Sequence, residues 1–66
     1  MKSRVQELRL KHDIPQKELA ESCGVSRQTI HAIEVGKYQP SVTLALKLAK
    51  VLKTEVERLF VLEGGD

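Results

Sequence analysis

Through its middle, proline and glycine interrupt this chain so often that no regular segment there can run much beyond ten residues. Pro15, Gly24, Gly36 and Pro40 all fall between positions 15 and 40. Proline lacks a backbone donor and pushes the residue before it into an extended conformation, so Ile14-Pro15 and Gln39-Pro40 break a helix. Gly24 and Gly36 supply the left-handed residue on which helices close. Between the breaks the apolar residues recur at helical spacing, as Leu44, Ala45, Leu48, Ala49 and Leu52 do after Ser41. The pattern predicts an all-α chain of five short helices, with no strand-like alternation before the tail. Helix 1 opens at the S-x-x-Q form Ser3–Gln6 and runs to about His12. Helix 2 spans Gln16–Cys23, and helix 3, capped by Ser26, spans Arg27–Val35. Helix 4 starts at Ser41, and a second capping box at Thr54–Glu57 opens helix 5.

Composition narrows what such a chain can do. With 66 residues, 41% hydrophobic and 30% charged, it has the material for one folded domain over 1–66 and none for a separate catalytic or sensing module. Tyr38 and Phe60 are its only aromatic residues, too few to stack successive bases of a single strand. The longest apolar run, Leu59–Leu62, is far short of the roughly 20 residues a membrane helix needs, and no signal-peptide stretch opens the chain. A cytoplasmic protein without membrane contact is expected. Charge is unevenly divided: residues through Lys53 carry +5, and those from Thr54 onward carry −3. A basic body favours a polyanionic partner.

Residues 16–35 carry the functional signal. Two short helices joined by about three residues, with a glycine in the joint, have the form of a helix-turn-helix unit. Ala20 is small where the second helix must cross the first, and Leu19, Cys23, Val25, Ile30 and Ile33 are apolar where both helices face a shared core. On a helical wheel with Ile30 and Ile33 inward, helix 3 turns Gln28, His31, Ala32 and Val35 outward, with Arg27 and Thr29 flanking. Such a face suits the major groove. Gln28 can pair with an adenine edge, Arg27 with guanine or phosphate, and the Thr29 methyl can meet a thymine methyl. Gln16 and Ser26 start their helices, where backbone N–H groups attract phosphate, and Lys37 and Tyr38 lie where the backbone passes. Arg9 and Glu34 each sit about 40° off an apolar stripe, close enough to the core edge to need one another.

Three linked segments, Gln16–Ala20, Gly24–Ile30 and Ile33–Ser41, resemble the signature of the phage-repressor-like (Xre) helix-turn-helix regulators, over about Arg4–Phe60. The resemblance implies a five-helix lambda-repressor-like DNA-binding domain. It assigns phosphate contact to Gln16, base reading to Arg27 and Gln28, and a structural ion pair to Arg9 and Glu34. At Val35 the sequence departs from the many relatives that carry a polar residue bonding the DNA backbone, so the resemblance assigns no phosphate contact to that position.

The remaining reactive residues have plainer readings. Cys23 falls on the apolar face of helix 2 with no metal-ligand neighbour, and His12 lies on the inner stripe of helix 1 as a half-buried residue. Glu55, Glu57 and Glu63 read as capping and solvated groups. No enzyme, metal, cofactor or small-molecule ligand is expected. The tail is different: Leu59-Phe60-Val61-Leu62 is unusually apolar, and small relatives of this type are commonly two-fold dimers. Val56, Leu59, Phe60, Val61 and Leu62 are therefore expected to form a homodimer contact within 55–62, the last three as a short strand. The full expectation is a dimeric repressor on double-stranded DNA with a palindromic operator. The rival is an antitoxin-like or adaptor module whose first partner is another protein.

Overall fold

The computed structural model describes residues 1–65. The element order is β1 (Lys2–Ser3), α1 (Val5–Lys11), α2 (Gln16–Cys23), α3 (Arg27–Glu34), α4 (Val42–Val51), α5 (Val56–Leu59) and β2 (Phe60–Val61). Five helices surround one apolar core in which Val5, Leu19, Ile30, Ile33, Leu48, Leu52 and Leu59 are fully buried. α2 packs against both α3 and α4, and this brings the helix-turn-helix pair onto the longest helix of the chain. Ala20 and Cys23 fill the α2 side of the core. Burial pushes the Cys23 thiol above its ordinary range, with Lys47 opposing weakly, so the sulfur is a neutral packing atom rather than a thiolate.

Four of the helices end in the same way. After α1, α2, α3 and α4 a single left-handed residue turns the chain, at Asp13, Gly24, Gly36 and Lys53 respectively. In each case the next N–H reaches back to a carbonyl five residues earlier: Ile14 to Arg9, Val25 to Ala20, Lys37 to Ala32, Thr54 to Ala49, all at 2.9–3.0 Å. Glycine makes this turn without strain on both sides of the turn-and-helix segment 24–36. Asp13 and Lys53 make it at φ 56° and 54° with side chains in place.

Three details differ from the sequence reading. Ser3 does not cap α1. It pairs in β1, its Oγ accepts from the Val5 N–H at 3.3 Å, and Arg4 takes the N-cap position without a side-chain bond. Thr54 does not cap α5, because its N–H closes the turn after α4, leaving Glu55 as an N-cap that makes no side-chain bond. His12 is exposed, since α1 stops at Lys11 and the inner stripe it would continue stops with it. Ser26 and Ser41, by contrast, accept from the N–H groups of Thr29 and Leu44, each at 3.1 Å.

The short strand foreseen in the tail exists, but its partner lies within the chain. β1 and β2 pair antiparallel, Lys2 opposite Val61 and Ser3 opposite Phe60, and Arg4 N–H donates to the Leu59 carbonyl at 2.8 Å. β1 itself had no legible signal, because two residues cannot show alternation.

Candidate nucleic-acid interface

The helix-turn-helix pair is anchored from behind and open in front. Ile30 and Ile33 hold the inner face of α3 in the core, while Gln28 and His31 stand exposed on the outer face. Gln16 from the start of α2 joins Arg27, Gln28 and His31 around one shallow hollow of about 370 Å³. Four polar side chains from two helices thus converge at the head of α3.

Beneath the hollow lies a hydrogen-bonded chain that runs from the core to the surface. The Glu34 side chain, 2% exposed, accepts from Arg9 Nε at 2.7 Å and from Arg9 Nη2 at 3.3 Å. Arg9 Nη1 donates to the Ile14 carbonyl at 3.0 Å and so ties down the loop before α2. Glu34 also accepts from Gln16 Nε2 at 2.8 Å, and Gln16 Oε1 in turn accepts from Arg27 Nε at 3.3 Å. The two neighbours agree on the orientation of the Gln16 amide. Reversed, it would set oxygen against a carboxylate and NH₂ against a guanidinium N–H. Every fully buried side-chain polar atom among the described residues has a partner.

The other candidate residues lie apart. Ser26 is engaged in capping, its Oγ also 3.0 Å from Thr29 Oγ1, which leaves Thr29 half-buried at the edge of the face. Lys37 and Tyr38 are exposed in the loop after α3 and do not line the hollow. Val35 ends α3, also exposed.

A second surface is apolar. Pro40 from the loop before α4 and Val42, Ala45 and Leu46 from its first turns face Val56 and Phe60 across a groove of about 350 Å³. Val42 and Leu46 are 77% and 57% exposed. Leu59, expected at a dimer contact, is fully buried in its own core, because the tail folds back on β1 and leaves it no outward face. Val61 and Leu62 remain exposed, and Val56 and Phe60 are half-buried in the groove wall. Val42 and Leu46 escaped the wheel of helix 4, whose inner stripe was already complete without them. The available signal was that only Thr43, Lys47 and Lys50 interrupt a ten-residue apolar helix, more apolar surface than one core can cover. No helix among the described residues is long and apolar enough to cross a membrane.

Comparison with known proteins agrees with this architecture. A profile of the helix-turn-helix family matches residues 5–59. A Methanocaldococcus jannaschii protein named as an uncharacterized HTH-type transcriptional regulator is 48% identical over 66 residues, the full length of both chains. The Bacillus subtilis protein YgzD, named in the same terms, is 48% identical over 63 residues, 96% of each chain. Among solved structures, the restriction-modification controller protein C.AhdI of Aeromonas hydrophila superposes with a TM-score of 0.79 at 35% identity, covering 86% of both chains. Profile, full-length relatives and superposition agree, and the chain belongs to the helix-turn-helix family of phage-repressor-like (Xre) type.

Proposed function

We propose that this chain is a sequence-specific, double-stranded-DNA-binding transcriptional regulator that acts as a homodimer and represses by occupying a palindromic operator. The observation that carries the reading is the convergence of Gln16, Arg27, Gln28 and His31 on one exposed hollow at the head of a helix fixed by Ile30 and Ile33. Gln28 and Arg27 read bases in the major groove. Gln16 and Ser26 meet phosphate where α2 and α3 begin, the Thr29 methyl meets a thymine methyl, His31 lies against the groove wall, and Lys37 and Tyr38 hold the backbone beyond α3. Phosphate contacts make affinity fall with salt, and base contacts set the choice of sequence.

The regulators named among the relatives support this role. The apolar groove supports the dimer. α4 follows α3 after one short loop, so a second copy seated on Val42, Leu46 and Phe60 would hold two α3 helices in fixed relation. The chain measures 32 × 21 × 20 Å, a size compatible with half-sites about 34 Å apart, one turn of duplex. The same groove favours the adaptor reading if a different protein fills it. Sedimentation of the purified chain separates the two, since only the first gives a dimer of the chain alone.

Selection of bound duplexes from a random pool at physiological salt tests the central claim, with an inverted repeat as the expected product. On that operator Gln28→Ala should cost about 1–3 kcal/mol and relax the choice at one base pair. Lys37→Ala should weaken cognate and scrambled duplexes alike and reduce the salt slope by about 1. Equal losses on both duplexes for Gln28→Ala would remove it from the base-reading set.

A further inference from the structure

Positive charge also gathers away from the head of α3. The hollow there has Arg27 as its only lysine or arginine. A separate groove between α1 and the α4–α5 corner, about 340 Å³, is lined by Arg4, Lys11, His12, Lys53, Thr54 and Arg58, with Leu8 and Leu52 between them. It holds four of the chain's eleven Lys and Arg side chains and no carboxylate. Glu7 pairs with Arg4 at 2.9 Å, and Glu55 lines an adjoining hollow with Lys50 on the far side of Lys53 and Arg58. These acids reduce the charge without cancelling it, because Lys11, Lys53 and Arg58 make no ion pair among the described residues.

Two features separate this groove from an ordinary solvated surface. Lys11, His12 and Lys53 stand at the ends of α1 and α4, where a cation complements the helix dipole. That effect does not explain Arg4, which stands at the start of α1, or Arg58, which enters the same groove from α5. The second feature is backbone strain. Lys53 occupies the left-handed position at φ 54° that α2 and α3 give to glycine. A lysine kept there retains a charge at the cost of conformational ease.

We propose that this groove binds a compact, multiply charged phosphate chain, such as the triphosphate of a small phosphorylated molecule. Its cations line a concavity from α1 on one side and the α4–α5 corner on the other. A double helix presents its phosphates on a convex surface and would meet only the rim, whereas a short phosphate chain enters and is contacted from both sides. Thr54 adds a hydroxyl donor.

Inorganic triphosphate, titrated into isotopically labelled protein at about 0.15 M salt, tests the proposal by amide shifts. Saturable shifts are expected at Lys11, His12, Lys53, Thr54 and Arg58, and adenosine triphosphate should produce the same set. Lys53→Gly should melt a few degrees higher without ligand, because the strained turn relaxes, yet bind triphosphate about tenfold more weakly. Arg58→Ala, which leaves the turn untouched, should lose affinity by a similar factor. Undiminished binding by Lys53→Gly and Arg58→Ala would overturn the proposal, as would shifts centred on Gln16, Arg27 and Gln28. A random-sequence duplex that shifts the groove amides would reassign the groove to DNA and overturn it as well.

Discussion

Glu34→Ala is expected to leave the chain largely unfolded at room temperature, and replacing Arg9 and Glu34 together by methionine is expected to restore folding. The single change strands the Arg9 guanidinium beside the core with only the Ile14 carbonyl as partner. Removing one member of a buried pair costs about 3–5 kcal/mol. A single core in a chain of 66 residues rarely supplies more than about 3–5 kcal/mol in all. The double change removes both charges and replaces them with apolar volume, which in buried pairs is often neutral or stabilising. Urea denaturation checks both arms, and a Glu34→Ala loss below about 1 kcal/mol would show that the pair is solvated. The double variant also has a functional consequence. Gln16 loses the carboxylate that fixes its amide, Arg27 loses a fixed neighbour, and operator affinity should fall although the chain is folded.

Leu46→Glu is expected to give a monomer whose operator affinity is at least about 100-fold lower, while its own fold is retained. Leu46 is more than half exposed, so a surface change there should alter the stability of an isolated copy by less than about 0.5 kcal/mol. Its place in the groove opposite Val56 and Phe60 puts the new carboxylate at the centre of the proposed contact. Two linked half-site contacts gain about 10²–10⁴ in affinity over one, and a monomer forfeits that gain. Sedimentation reads the association and a duplex titration reads the affinity. A variant that stays dimeric would move the contact to the exposed Val61 and Leu62.

Helix existence and the orientation of α3 were legible because each rests on a local rule. Pro15 breaks, Gly24 turns, Ser26 caps, and Ile30 with Ile33 sets which side faces the core. The Arg9–Glu34 pair was named by the family resemblance, and the wheels agreed with it because both residues lie at the margin of an apolar stripe, where a charge needs a partner. Features that depend on pairing between distant residues were not. β1 is two residues long and exists only because Phe60 and Val61 come to it. Ser3 and Thr54 match the capping pattern, yet the strand and the turn claim their backbone first. The link from Gln16 to Glu34 joins residues 18 apart on different helices, and no spacing rule reaches that far. The apolar face of α4 went unread, because its location on Val42 and Leu46 depended on knowing which side α2 covers.

The bond between Gln16 and Glu34 fastens the first residue of the helix-turn-helix pair to the last. The scaffold is thereby closed on itself, while Gln28 and His31 stand outside the closure and make no side-chain hydrogen bond among the described residues. Those two positions are free to vary without disturbing the clasp. On the proposed reading of the groove face, exchange at these outward positions would retarget binding while the architecture behind them stays fixed.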